Sequence, residues 1–455
     1  VDSFAEMTNI SKKFIETLKN CWRIEDLRKR LLITLLFTAI YRFGSFVVLP
    51  GINPAQLQNL QSQTSGGLMS LLDMFSGGAF SNASIFALGI MPYISASIVM
   101  QLLAVAVPYF QKMQREGESG RKKISWYTRV LTVFILFLQG PSYLINLKMQ
   151  AGQALSSGIS WTVFMFPAAV ILAAGSMFIL WLGERITDKG VGNGVSLIIA
   201  IGIIARLPQA FIQEVTSRFT AISGGGLVMF IAEILILFAV VCAALMLVQA
   251  VRKVPVQYAK RVVGNKQYGG ARQYIPLKLF AANVMPIIFA QALMFIPLAF
   301  VSYGTSNGSW LVQNLMDNRS LLYNALYVAL VIAFTYFYTA ITLNSNQMAE
   351  DMKRNNGFIP GVKPGKDTAE YIDTVMSRIT LPGSLAIAFI AIMPALASLL
   401  DVQQAFSQFF GGTSLLILVG VVIDSLQQIE SHMLMRHYDG LLNSGRTRGG
   451  NVAAY

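Results

Sequence analysis

Ten runs of apolar residues recur along this chain, most of them near the ~20 residues that a helix needs to cross a bilayer. They lie at about 31–48, 82–107, 126–145, 161–182, 194–207, 227–251, 280–303, 321–343, 379–400 and 413–429. A chain patterned in this way has few options. Backbone amides at membrane depth must be satisfied within the protein, so the runs are expected to be spanning helices. Composition agrees, with 54% hydrophobic residues, 13% charged and a mean hydropathy of +0.56. The fifth run, 194–207, is the shortest and the first that would be merged or lost.

Charge orients the runs. Counting Arg129 at the mouth of the third run, 30 of 35 Lys and Arg fall in the N-terminal segment, alternate loops and C-terminal tail. Such residues are retained on the cytoplasmic side, so both termini are expected there, with an even number of spans. Lys148, Arg206, Arg218 and Arg319 fall on the other side, and Arg42 lies inside the first run. The net charge of +13 then reflects topology and contact with anionic lipid and names no nucleic-acid partner. Residues 1–30 are expected to form an amphipathic cytoplasmic segment, too polar for a cleavable signal peptide. Cys21 and Cys242 provide neither a disulfide framework nor a metal spacing.

Two regions depart from simple helix packing. Between the first two runs, a short apolar segment at 68–75 precedes Gly77-Gly78 and then a full-length run. A segment that short cannot cross a bilayer, and irregular backbone at membrane depth needs protein or water around it, which points to a cavity or pore. Arg42 either faces protein or water, or snorkels outward. Gln101, a primary amide within an apolar run, needs a partner.

The second region is the pair of cytoplasmic loops at 252–278 and 344–378. The first carries seven basic residues and no acidic one, interleaved with Tyr258, Tyr268 and Tyr274. Residues 254–256 and 273–275 are expected to pair as a hairpin, and the charge favours docking of an acidic or RNA-bearing partner. In the second loop, two Pro-Gly steps present Lys363 at a turn tip. The stretches 111–123 and 190–195 are expected to be a solvated basic turn and a flexible glycine-rich mouth.

Chemistry is sparse. There is no HExxH, nucleophile elbow, Walker loop or cysteine cluster, and His432 and His437 lie in the tail. No catalytic residue, cofactor or metal site is expected, so the chain is not expected to be an enzyme. Acidic residues are scarce within the runs, which suits a gated passive conduit, although the residues alone leave a secondary transporter of a small solute open.

The motifs carry a resemblance. FSGGAFSNASIFALGIMPYISASI at 75–98, EGESGR at 116–121, GVGNGVS at 190–196, YAKR at 258–261, PGVKPG at 360–365 and GGTSLLI at 411–417 together resemble the SecY/Sec61 alpha family, the large channel subunits of the Sec translocase. The resemblance implies an all-α polytopic membrane protein with ten transmembrane helices in two pseudo-symmetric inverted halves of five and a short re-entrant plug helix. It divides the chain into an N-terminal segment at 1–30, an N-terminal half at 31–207 with a plug at about 65–80, an external hinge loop at 208–226, a C-terminal half at 227–433 and a cytoplasmic tail at 434–455.

By the same resemblance, Ile90, Ile94, Val195, Ile199, Ile288 and Ile417 would form an apolar pore ring. Leu68, Leu71, Leu72, Phe75, Gly77 and Gly78 would belong to the plug, and Gln101 and Asn283 would hold a lateral gate shut. Each of the pairs Ile90/Ile94 and Val195/Ile199 has the spacing of one helical face. Val195 replaces a more frequent isoleucine. Arg252, Lys253, Lys260, Arg261 and Lys363 would dock partners, with lysine at 363 where arginine is usual, which loses the planar fork.

The implied function is a passive pore in the bacterial cytoplasmic (inner) membrane, driven by a motor ATPase or the ribosome. It would pass unfolded secretory polypeptides and release transmembrane segments sideways into lipid. The implied partners are the small subunits SecE and SecG, the SecA motor ATPase, the ribosome, secretory and membrane-protein substrates, and anionic lipids.

Overall fold

The computed structural model describes residues 22, 24–54, 73–151, 155, 160–220, 226–258, 261–263, 266–268, 272–280, 284–291, 293–294, 320–400 and 402–446. The chain is mostly helical. In order, the elements are α1 (Glu25–Gly44), α2 (Met91–Ala106), α3 (Pro108–Arg115), α4 (Glu118–Ala151), α5 (Trp161–Lys189), α6 (Gly194–Thr220) and α7 (Gly226–Gln249). Four strands follow: β1 (Val251–Tyr258), β2 (Arg261–Val263), β3 (Lys266–Tyr268) and β4 (Arg272–Lys278). Then come α8 (Leu321–Thr342), α9 (Ser345–Arg354), β5 (Gly357–Phe358), α10 (Lys366–Leu399), α11 (Gln404–Ser407), a 3-10 turn (Gln408–Phe410) and α12 (Gly412–Arg446).

Among the described residues, seven helices are long and apolar enough to cross a membrane, or eight if the bent pair α2 and α3 is one span. Two of the ten expected runs account for the difference. The first became α1, whose opening residues Glu25, Asp26, Arg28, Lys29 and Arg30 dilute its apolar length. The seventh, 280–303, lies mostly outside the described residues.

The second run departs from expectation in shape. Residues 82–90 are a series of turns, with Ala83 and Gly89 at positive φ, and the helix begins only at Met91, with Pro92 in its first turn. Proline is well placed there because the missing N–H would have had no partner. At Val107, just before Pro108, the chain bends by 101° into α3. The expected basic turn at 111–123 is therefore mostly helix, and only Glu116 and Gly117 turn.

The fifth run gains length instead. α6 continues through Pro208 to Thr220, so residues 208–220 of the expected hinge loop are helical, and 221–225 lie outside the described residues. Neighbouring helices and side chains commonly make proline tolerable in membrane helices. Here Ala210 is buried, and Glu214 and Arg218 pair one turn apart. Similarly, α12 runs on to Arg446, well into the expected tail.

The all-α expectation needs a second correction at the end of the bundle where α7 stops. β1 pairs antiparallel with β4, matching Val254 to Ile275 and Val256 to Gln273, as the hairpin pattern predicts. The smaller β2–β3 pair lies between them in sequence. β5, from the second basic loop, adds to the other edge of β1. Alternation along β1 turns Val254 and Val256 inward, where they join Leu277, Met352, Ile359, Ile372 and Met376 in a small core. The two loops thus form one unit because neither can bury its apolar face alone.

The two largest cores hold most of the helices. One links α1, α5 and α6 to residues 402–410 and α12. The other lies among α7, α8, α10, α12 and the helical stretch at 285–291.

Val256 is fully buried, and placing an unpaired carboxylate there costs several kcal/mol. Val256→Asp should therefore make 251–278 sensitive to limited proteolysis while leaving the membrane helices protected.

Candidate functional site

The segment opened by Asp73 has no regular structure beyond a single helical turn at 73–75, yet every residue from Asp73 to Phe80 is buried. Its polar backbone must find partners inside the protein. Two helices supply partners for its carbonyls, and a third holds two of its side chains. From α1, the Tyr41 hydroxyl donates to the Ser76 carbonyl at 3.2 Å, and Arg42 Nη1 donates to the Gly77 carbonyl at 2.9 Å. From α4, the Tyr143 hydroxyl donates to the Phe80 carbonyl at 2.8 Å.

From α6, Arg206 pairs with Asp73 and donates to Ser81 Oγ at 2.7 Å. Asp73 Oδ1 in turn accepts from the Ser81 amide at 2.8 Å. Arg42, ambiguous in the sequence, faces protein and fastens this segment.

The glycines serve close packing here. Gly77 sits at φ +64°, where a Cβ would lie 2.6 Å from Arg42 Nη1 and 2.9 Å from Gly202 Cα. Gly202 mirrors the constraint, since its own Cβ would meet the Phe75 carbonyl at 2.9 Å. Backbone therefore touches backbone between this segment and α6. Beside them lies a cleft of about 370 Å³ bordered by Arg42, Gly78, Asn82, Arg206 and Gln209; of its two guanidinium groups, that of Arg206 is paired with Asp73.

Directly against this segment lies one apolar cluster drawn from distant parts of the chain. Ile90, Ile199 and Ile417 are buried in it, and Ile94, Val195 and Ile288 pack against it half-buried. All six residues named for the ring are thus brought together, from α2 and the turn before it, α6, the 285–291 helix and α12. Ile90 caps α2 and accepts the Ile94 amide at 3.1 Å, which keeps the two on one face although only one is in the helix proper.

Met74 and Phe75 belong to the same cluster, as do Ile203, Phe406, Phe409 and Phe410. The last three come from residues 402–410, a segment that drew no attention in the sequence. Its aromatic run between two apolar spans, QAFSQFF, was the available signal.

The other named residues are more scattered. Leu68, Leu71, Leu72, Asn283 and Lys260 lie outside the described residues. Gln101 Nε2 donates to Ser97 Oγ on its own helix at 3.2 Å. Arg252 and Lys253 are exposed on β1, and Lys363 is exposed in the turn before α10. Arg261 opens β2. The glycine-rich stretch 190–194 is closely packed: a Cβ on Gly190 would lie 2.4 Å from Thr34 Oγ1, and one on Gly194 would lie 2.0 Å from the Gly183 carbonyl. Glu233, within the sixth apolar run, is buried beside Arg218, and it too went unnoticed among the sparse acidic residues.

Comparison with known proteins decides the family. The SecY family profile matches residues 84–426, and the protein translocase subunit SecY of Streptomyces galbus is 40% identical over 435 residues, covering 92% of this chain and 98% of that one. The chain belongs to the SecY family. Its fold agrees with that of two solved structures. One, a protein-conducting channel, has a TM-score of 0.62 at 18% identity, with 89% of this chain and 92% of the other covered. The other, Sec61 in the canine ribosome–channel complex of the endoplasmic reticulum, has a TM-score of 0.58 at 17% identity over the same shares. The apolar cluster and the tethered segment beside it therefore belong to a SecY-type fold.

Removing Arg206 leaves Asp73 as a buried carboxylate without its cation, at a cost of about 3 kcal/mol. In a background without Cys21 and Cys242, Arg206→Leu should speed maleimide labelling of Ser76→Cys by about tenfold or more. An unchanged rate would show that the ion pair does not hold the segment.

Proposed function

We propose that this SecY-family chain is the channel subunit of a protein translocase, a gated conduit for unfolded polypeptide. The observation that carries the reading is the convergence of Ile90, Ile94, Val195, Ile199, Ile288 and Ile417 in one apolar cluster with Met74 and Phe75 against it. A narrow apolar ring excludes ions and water by dewetting. The same ring yields around a passing chain, because it makes no directional bonds that would have to be broken.

The segment at about 65–80 is the plug, with 73–80 as its fastened base. Sideways release into lipid takes place at a lateral gate beside α2, with Gln101 and Asn283 as its polar contacts. The two-half division, with ten spans in inverted sets of five, supports such a gate, since two rigid bodies around one ring part on one side. In this reading, the end of the bundle bearing the β-sheet is cytoplasmic, as are both termini, and the membrane is the bacterial cytoplasmic one.

Arg252, Lys253, Lys260, Arg261 and Lys363 form the docking surface for a driving partner. The packing of β5 against β1 supports their acting as one patch, because it joins the two loops that carry them. The ribosome fits that surface through the polyanionic character of its RNA, and the SecA motor ATPase is the partner for post-translational export. SecE and SecG complete the membrane complex, and anionic lipid meets the remaining basic loops. The chain supplies the path, and its partners supply the energy. A small-solute transporter, which the residues alone leave open, is not favoured by a family of protein-conducting channels.

Two experiments test this reading. With Cys21 and Cys242 removed, Ile90→Cys and Ile417→Cys should each cross-link to a secretory chain stalled in transit, and absence of cross-links from both would refute the ring. Reversal of Lys260 and Arg261 to glutamate should weaken SecA or ribosome binding by about tenfold or more at low salt, with the difference shrinking as salt rises. Equal affinity at low salt would remove these residues from the docking surface.

A further inference from the structure

The C-terminal half holds a cavity of about 90 Å³ between α8, α10, the 285–291 helix and residues 404–414. α8 and α12 begin beside it and α10 ends there, so it sits at the end of the bundle opposite the sheet. Among the described residues that border it none is charged, yet Gln291, Ser398, Ser407, Gln408, Thr413 and Ser414 are polar and buried. A space that is both polar and roomy holds water, or something that replaces water.

The hydroxyls restrict what that can be. Ser398 Oγ donates to the Ala395 carbonyl at 2.8 Å, Ser407 Oγ to the Gln404 carbonyl at 2.9 Å and Ser414 Oγ to the Gly411 carbonyl at 3.1 Å. Thr413 Oγ1 donates to Gln291 Oε1 at 2.8 Å. A hydroxyl has one proton and two lone pairs, so these four have only acceptors left to offer a guest. An oxyanion would face those lone pairs with no cation beside it, and a buried cation would lack a counter-charge; both are costly. The guest is therefore neutral and brings its own O–H or N–H groups. One wall is aromatic: Tyr323 and Tyr327 are buried and stack with ring centroids 6.2 Å apart, which gives the cavity an apolar face as well.

We propose that this cavity is a binding site for a small polyol, free or carried as the sugar or glycerol end of a lipid. A polyol supplies O–H donors for the serine and threonine lone pairs and a C–H face for the tyrosine wall. It thereby reproduces the hydrogen bonds of the water it displaces. Asn324, Ala395 and Gln404 are only half-buried and mark the side on which a longer molecule leaves. Occupancy reaches the pore, because Gln291 stands three residues after Ile288 and Thr413 four before Ile417. Each end of the Gln291–Thr413 bond thus lies one turn from a ring residue. A guest that bridges the two favours the closed ring, and an open ring weakens the guest by the same factor.

The site stands by itself, and only its effect on the pore rests on the channel reading above. In a chain without Cys21 and Cys242, held in nanodiscs with its membrane partners, Ala395→Cys reports on the cavity by its rate of maleimide labelling. Methyl glucoside in solution, or monoglucosyl diacylglycerol in the disc, should slow that rate by about fivefold or more with a saturable midpoint, and the one that does so identifies the source. Trimethylamine N-oxide, which has no donor, should leave the rate unchanged at equal concentration. Ser407→Ala and Tyr327→Phe, which keep the packing, should each raise the midpoint by about threefold or more. Slowing by neither glucoside, equal slowing by the N-oxide, or an unshifted midpoint in both variants would overturn the site.

The second arm reads transport. In proteoliposomes with SecA, the same guest at saturation should slow translocation of a secretory precursor by about threefold or more, and Ser407→Ala should need a correspondingly higher concentration for the same effect. Protection of Ala395→Cys with no change in transport would overturn the link to the ring. If no form of the chain moves a precursor while labelling behaves as stated, it is the channel reading that fails and the site that stands.

Discussion

The structure depends on the requirement that polar backbone at membrane depth be satisfied from within. Regular helices meet it without help. Residues 73–90 do so through their own turns and through borrowed side chains: Tyr41, Arg42 and Tyr143 reach their carbonyls, and Arg206 holds Asp73 and Ser81 by their side chains. That need explains why charged residues sit in otherwise apolar runs. Each of the two arginines is expensive in a bilayer, and each is offset by an acceptor at the base of the segment it holds.

Once the segment is held, the rest of the site follows from packing. Gly77 and Gly202 let it lie backbone to backbone on α6, which brings Met74 and Phe75 against the apolar cluster. The same helix carries Val195 and Ile199 to the cluster and Glu214 and Arg218 to its far end. A single long helix thus touches the apolar cluster, the fastened segment and the buried ion cluster at its own far end. The extension of α6 past Pro208 is what makes this connection possible.

Much of the scaffold was legible in the residues. Apolar length and the distribution of Lys and Arg pointed to a polytopic membrane protein, the runs at 254–256 and 273–275 pointed to the β1–β4 pairing, and the motif at 75–98 pointed to the family. Where the reading failed, the cause was tertiary. Residues 208–220 looked like a loop because Pro208 and the polar residues after it suggest an end, whereas the buried pair Glu214–Arg218 and its partners on α7 and at 400–403 carry the helix on. The stretch 190–195 looked flexible because glycine is permissive alone, and only the neighbours of Gly190 and Gly194 at 2–3 Å show that lack of a side chain is what counts there.

The sequence by itself determined that the chain resides in a membrane, that its helices are mostly those of its apolar runs, and which family it joins, because hydrophobic length, period and motif are local properties written in consecutive residues. Only the tertiary structure decided that Arg42 and Arg206 hold one buried segment, that the two basic loops share a sheet, and that residues 402–410 enter the central cluster. Those outcomes depend on which distant groups can satisfy one another's hydrogen bonds and fill one another's volume, and no local pattern encodes that choice.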